Sequence, residues 1–245
     1  MSGRTGLIAL IAALAGLTAG FLLANSINRS ELSTLRAENE RFKTERGPGA
    51  NQDSKSDLTD EEISATIGRA DKNPSDFETQ KNIGVAIYRY GVIKKDEKLI
   101  RESVRILERA VSLRPDDYDV ILSLGNASFD VGYFSKDNES LKKARDLYEK
   151  ALARRPDNLD IRTDLGLTYF LETPSDLDNA VAEFQKVLEK NPKHEKTLQW
   201  MVQALIKQNK GPEAAEILEQ LRAVNPKNES IGELTAMLST SQQPG

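Results

Sequence analysis

The chain has 245 residues, of which 29% are charged and 38% hydrophobic, with a net charge of −4 and a pI near 5.3. That balance is ordinary for a folded domain, and it lacks the basic surplus of a nucleic-acid binder, so no nucleic acid is expected as a partner. There is no cysteine, which excludes disulfides, thiolate nucleophiles and cysteine-held metals.

After a short tail (residues 1–5), Gly6 to Ala24 form 19 residues without a charge, only Thr18 being polar. As a helix this run covers about 28 Å, close to the hydrocarbon thickness of a bilayer at about 30 Å. A cleaved signal peptide is the alternative, with Arg4 as its basic region. Its apolar run would normally be shorter, and Leu22-Leu23-Ala24 puts a leucine where a small residue is wanted. The segment therefore reads as a single transmembrane anchor over 6–24. Ala12, Gly16 and Gly20 recur every four residues, a spacing that lets two membrane helices approach. Counting basic residues (Arg4 before; Arg29, Arg36, Arg41 and Lys43 after) favours a cytoplasmic C-terminal side. Those residues alternate with glutamates, however, and an N-terminal arginine before one apolar run looks like an export signal-anchor. The expectation is a single-pass cell-membrane protein with its main domain outside the cytoplasm.

Residues 25–45 read as a juxtamembrane helix. Leu32, Leu35, Asn39 and Phe42 follow coiled-coil spacing for less than two heptads, which makes a parallel homodimer possible without requiring one. Gly47-Pro48-Gly49 ends that stretch, and residues 46–58 read as a flexible linker. Thr59 and Glu62 have capping-box spacing and open a packing helix over 59–74.

From there a period sets in. Prolines 74, 115, 156, 192 and 226 are separated by 41, 41, 36 and 34 residues. Eight residues before the last four stand Leu107, Tyr148, Phe184 and Leu218; four residues earlier stand Ser103, Ala144, Ala180 and Ala214. A small residue, a bulky residue one turn on, and a proline describe a helix that packs closely and then stops. Upstream, Ile83-Gly84, Leu124-Gly125, Leu165-Gly166 and Met201-Val202 mark a preceding helix in each repeat. The repeats span 75–117, 118–157, 158–193 and 194–228. The first two are seven residues longer than the third-to-fourth step of 34. They match at an offset of 41 (Gly91 with Gly132, Lys95 with Lys136, Asp96 with Asp137), and the added residues are expected between the helices, as longer helices with an extended turn. A last helix over 229–239, with Ser230 and Glu233 at capping-box spacing, and a tail over 240–245 complete the chain.

These residues resemble the tetratricopeptide repeat (TPR), whose pattern is W-x2-L-G-x2-Y, A-x3-F and P. The third repeat fits best, with Leu165, Gly166, Tyr169, Ala180, Phe184 and Pro192; the tryptophan position is lost in all four, and Val202 replaces glycine in the fourth. The resemblance implies an all-α, right-handed TPR α-solenoid, here preceded by the transmembrane helix. It further implies a concave groove, lined by first-helix residues, that takes a peptide or helix of a protein partner. By phase that groove is Lys81, Asn82 and Tyr88 from repeat one; Ser123, Asn126 and Phe129 from two; Asp164, Leu167 and Phe170 from three; and Lys196, Trp200 and Gln203 from four. Each ring among them is alternatively inter-repeat core. Asn126 and Trp200 are the most specific, since neither matches a consensus core position.

Chemistry has few components here. No phosphate-binding glycine loop, zinc spacing or nucleophile elbow occurs, and no cofactor or metal is expected. The one histidine, His194, follows Pro192 in a turn and reads as solvated surface. The carboxylate-binding clamp of chaperone-recruiting family members is not expected either, since Asp160 and Asp164 would repel an anionic terminus. The expected role is a non-enzymatic, membrane-tethered scaffold, similar in outline to repeat proteins of bacterial cytochrome-c maturation, though no residue singles out that role. The alternative is a self-associating spacer forming homo-oligomers through anchor and repeats.

Overall fold

The computed structural model describes residues 58–241. The predicted anchor, the juxtamembrane helix and nearly all of the linker lie outside the described residues. Those that are described form ten α-helices and no strand: α1 (Asp60–Lys72), α2 (Phe77–Lys94), α3 (Glu97–Leu113), α4 (Tyr118–Ser135), α5 (Asn138–Arg154), α6 (Leu159–Leu171), α7 (Leu177–Lys190), α8 (Glu195–Lys207), α9 (Gly211–Val224) and α10 (Ile231–Ser241). None of these helices is long and apolar enough to cross a membrane. The chain divides between Ala127 and Ser128, within α4, into two compact units.

Helix α1 starts as its sequence dictates. The Glu62 amide donates to the Thr59 hydroxyl (3.2 Å), and the Thr59 amide donates to the Glu62 carboxylate (3.0 Å). Its apolar stripe then meets the first repeat: Ile63, Ile67 and Ala70 pack with Ile83, Ile87, Leu99 and Ile106. Each aliphatic side chain taken out of water there contributes about 1.5–3 kcal/mol.

The small and bulky positions of the period are the interior of every repeat. Ser103, Ala144, Ala180 and Ala214 are buried, as are Leu107, Tyr148, Phe184 and Leu218. Gly84 and Gly166 sit where helices touch. A methyl group at Gly84 would come 2.8 Å from Leu107, and one at Gly166 would come 2.5 Å from the Phe184 ring.

Each repeat joins the next through one device. At Asn73, Arg114, Arg155, Asn191 and Asn225 the amide closes the preceding helix, and the carbonyl accepts from the amide three residues on. A proline follows each of these residues, in the turn position that its ring favours and where no amide is needed. In three of the five the residue that ends the turn caps the next helix: Asp76 accepts from the Glu78 amide, Asp117 from Val120 and Asn158 from Ile161, whereas Asn228 accepts from the Ser230 amide in a further turn ahead of α10.

The long repeats differ from expectation in one respect. Their turns are not extended. Only Lys95 and Asp96 separate α2 from α3, and only Lys136 and Asp137 separate α4 from α5, whereas five residues separate α6 from α7. The added length is helix: α2 and α4 have 18 residues against 13 in α6 and α8. The 41-residue correspondence is the machinery of this tight turn. Gly91 lets α2 lie against the start of α3, since a methyl there would be 3.0 Å from the Ile100 amide nitrogen; Gly132 does the same against Leu141. Lys95 and Lys136 turn left-handed, at φ 54° and 53°. The amides of Asp96 and Asp137 then donate back to the carbonyls of Gly91 (2.8 Å) and Gly132 (3.1 Å), closing Schellman-type ends. Finally the Asp96 and Asp137 carboxylates cap α3 and α5.

Candidate partner-binding face

In the first unit, α2 carries Lys81, Asn82 and Tyr88, and the start of α4 carries Ser123 and Asn126. Asn82 is exposed; Lys81 and Ser123 are half-buried; Tyr88 and Asn126 are buried. Lys81 Nζ donates to both Asp117 oxygens (3.1 and 3.2 Å) and lies 3.6 Å from Asp119. Burial pushes the Asp117 carboxyl up, but the Val120 amide and the Lys81 ammonium outweigh it and hold the group below its ordinary value. The Ser123 hydroxyl turns inward to the Asp119 carbonyl (2.7 Å).

In the second unit Phe129 belongs to the core, its ring 6.3 Å from that of Tyr148. The predicted residues of α6 and α8 are brought together in pairs. Lys196 Nζ donates to Asp164 (2.6 Å), whose carboxyl is almost wholly buried and is pushed up by that burial, the nearby ammonium opposing it. Phe170 meets Trp200 edge-to-face at 5.5 Å, and the Lys207 ammonium stands 4.1 Å from the Phe170 ring centre. Lys196, Trp200, Gln203 and Lys207, spaced by four, three and four, form one stripe on α8, while Leu198, Met201, Val202 and Leu205 bury the rest. Leu167 and Phe170 are buried; Trp200 and Gln203 are half-buried. The Trp200 Nε1–H is buried without an acceptor among the described residues. Leaving such a donor unmade costs about 1–3 kcal/mol.

Three expectations are corrected at this place. Tyr88, Phe129 and Phe170 are core rings rather than open groove surface, because the period that aligns them with the family also faces them inward. The acidic pair is not a free repulsive patch: Asp164 holds Lys196, and Asp160 lies 3.3 Å from His194 Nε2. His194 is not solvated, its side chain being only 16% exposed. It occupies the helix-capping position of its turn yet makes no cap; its Nδ1 meets the Thr197 hydroxyl (2.7 Å), which in turn meets Thr163 (2.6 Å). An acid, an imidazole and a hydroxyl in line are the parts of a nucleophilic relay. Here Thr197 and Thr163 are fully buried, so the hydroxyl is closed to a substrate and the chain of bonds ties α6 to α8. The one signal of this in the sequence was position: His194 stands where the other turns have Asp or Asn.

A cleft of about 430 Å3 in the first unit lies on α3, not on the predicted face, and is lined by Pro74, Arg105, Glu108, Arg109, Ser112 and Leu113. Both arginines reach Asp71 of α1 (2.6 and 2.7 Å), and their hydrogen bonds hold its carboxyl down at about 2.

Comparison with known proteins bears on the repeats. The family model described as tetratricopeptide repeat matches residues 174–238, and the one described as the plant-specific mitochondrial import receptor subunit TOM20 matches 68–174. No curated protein sequence matches the chain. Among solved structures, the MamA fragment from residue 41 to its end of Desulfovibrio magneticus RS-1 superimposes with a TM-score of 0.54 at 19% identity, over 69% of this chain and 87% of that one. A second MamA structure gives 0.53 at 21% identity, over 68% and 88%. A thermophilic TPR protein of Thermus thermophilus gives 0.50 at 16% identity, over 74% and 89%. At such identities the likeness is one of fold. With helix pairs in phase with the sequence period and a repeat-family match over residues 174–238, the chain is a tetratricopeptide-repeat protein.

Proposed function

We propose that this protein is a non-catalytic, membrane-tethered scaffold that takes up a peptide or helix of a protein partner along its first-helix face. The anchor would be residues 6–24 and the tether 25–58, with the repeats outside the cytoplasm. The observation that carries the reading is the α6/α8 face. It holds an indole N–H without an acceptor beside an aromatic pair, with Gln203 half-buried and Lys207 exposed on the same stripe. An aromatic anchor among groups that can bond a peptide backbone is what a recognition surface requires. The likeness to an import receptor subunit is in keeping with a binding role. Asn82, Lys81 and Ser123 would be the accessible part in the first unit.

The test is photocrosslinking in cells from an unnatural amino acid placed at Asn82 or Gln203, with exposed Ala153 on α5 as reference. One protein captured from both face positions, and not from Ala153, supports the reading, and its compartment fixes the topology. Capture of the chain itself would instead favour the self-associating spacer, for which the Ala12, Gly16 and Gly20 stripe is the supporting feature.

A further inference from the structure

His194 departs from the turns that precede it. Asp76, Asp117 and Asn158, at the same place in those turns, each accept from an amide of the helix that follows, whereas His194 makes no such bond. Its imidazole is spent instead on contacts with α6, and these can be counted proton by proton.

Four contacts run in line between α6 and α8. His194 Nε2 lies 3.3 Å from an Asp160 oxygen, Nδ1 lies 2.7 Å from the Thr197 hydroxyl, and that hydroxyl lies 2.6 Å from the one of Thr163. The Thr163 hydroxyl donates in turn to the Leu159 carbonyl (2.9 Å). An ionised carboxylate stands at one end of the line and a carbonyl at the other, and neither can donate. Every contact therefore needs a proton from the three groups between. Each hydroxyl holds one and a neutral imidazole holds one, which makes three protons for four contacts. Only the imidazolium, with both nitrogens donating, supplies the fourth. Thr163 and Thr197 are fully buried, so solvent cannot make up a missing proton there, while the His194 side chain is 16% exposed and can exchange one.

The charged groups around the ring are few. From α6 come Asp160, in contact with it, and Asp164, which accepts from Lys196 Nζ of α8 and senses charge on both Asp160 and His194. Beside His194 along the chain, Lys193 is exposed and Glu195 accepts from Asn225 and Asn228.

We propose that His194 is a pH-sensitive joint between α6 and α8. With two protons on the ring all four contacts are made. When the ring loses one to solvent it keeps the proton at Nε2, opposite Asp160. Both hydroxyls then turn round, Thr197 donating to Nδ1 and Thr163 to Thr197, and the Leu159 carbonyl loses its hydroxyl partner. The full set of contacts belongs to the doubly protonated ring alone, so the joint is tightest in mild acid and loosens as the pH rises. The joint is independent of whether the α6/α8 face takes up a partner.

His194 is the only histidine and Trp200, on α8, the only tryptophan, so each reports on this place in the full-length chain in detergent micelles. Urea unfolding followed by Trp200 emission would compare wild type, Thr163→Val and His194→Asn between about pH 5 and about pH 8, where histidine ordinarily changes charge. Valine keeps the shape of Thr163 and removes its demand for a proton; asparagine restores the residue type found at 158. Across that range the wild-type unfolding constant should rise several-fold more than that of His194→Asn, with Thr163→Val in between. Asp164 is common to all three and does not separate the first two. Equal rises in wild type and Thr163→Val overturn the proposal, because the count of protons would then have no effect. The imidazole nitrogen-15 resonances of wild type test it without a variant. At the alkaline end the remaining proton should sit on Nε2, and finding it on Nδ1 overturns the proposal as well.

Discussion

The long repeats, α2/α3 and α4/α5, and the short ones, α6/α7 and α8/α9, solve the same packing problem with different lengths of helix. The short pairs use 13 and 14 residues, and the close contact under Gly166 suffices to join α6 to α7. The long pairs use 18 and 17 residues, which would splay apart beyond that contact. Gly91 and Gly132 supply a second close approach one turn from the end, and a two-residue turn with one left-handed lysine finishes each pair. Lengthening a repeat therefore demands a new glycine, a left-handed residue and a cap together, which is why the three recur at an offset of 41.

Substitutions can break this comparison, the largest at the contacts themselves. Phe184→Ala, which empties the space under Gly166, should cost about 3–5 kcal/mol, and Leu141→Ala, under Gly132, about 2–5 kcal/mol. If urea unfolding showed neither loss, the glycine contacts would not be what holds the pairs. In the short repeats Lys196→Met leaves the Asp164 carboxylate buried and unpaired, at about 3–5 kcal/mol near neutral pH. Because burial raises the pKa of Asp164 in the folded chain, that penalty should shrink as the pH falls, since protonation removes the buried charge while the pH is still above the ordinary carboxylate range. A penalty that ignores pH would locate the cost elsewhere. Gly166→Ala should destabilise by about 1–3 kcal/mol through overpacking, whereas Gly68→Ala on α1, with open space around it, should stabilise by up to about 1 kcal/mol. Lys136→Gly should relieve the left-handed turn and raise stability by about 1 kcal/mol, with no counterpart in α6/α7. The smallest effect is expected at Asp71→Asn, under about 1 kcal/mol since the ion pairs face solvent. The Asp71 pKa is depressed, so wild type and variant should converge as pH falls from about 4 to about 2.

The periodic part of the molecule was legible because each signal had one cause. The periodic prolines each sit in a turn, the small residues are buried inside their repeats, and the Thr59–Glu62 spacing stands at a helix start. The added residues of the long repeats were assigned partly to the turn because helix and turn can share one composition; what decides between them is the left-handed lysine, a conformation that lysine does not announce. On α8 the residues chosen by phase meet those of α6, in the pairs Asp164–Lys196 and Phe170–Trp200, but phase cannot tell a ring that lines a groove from one that fills the core behind it. His194 was misplaced for the same reason: its surroundings come from Asp160 and Thr163, more than 30 residues upstream.

Trp200 is the sole tryptophan and lies in the second unit, half-buried against Phe170. Its emission therefore follows the melting of that unit alone, while helical ellipticity follows both. The gap between the two melting curves, wide or absent, measures the cooperativity passed along α4, the one helix that the two units share.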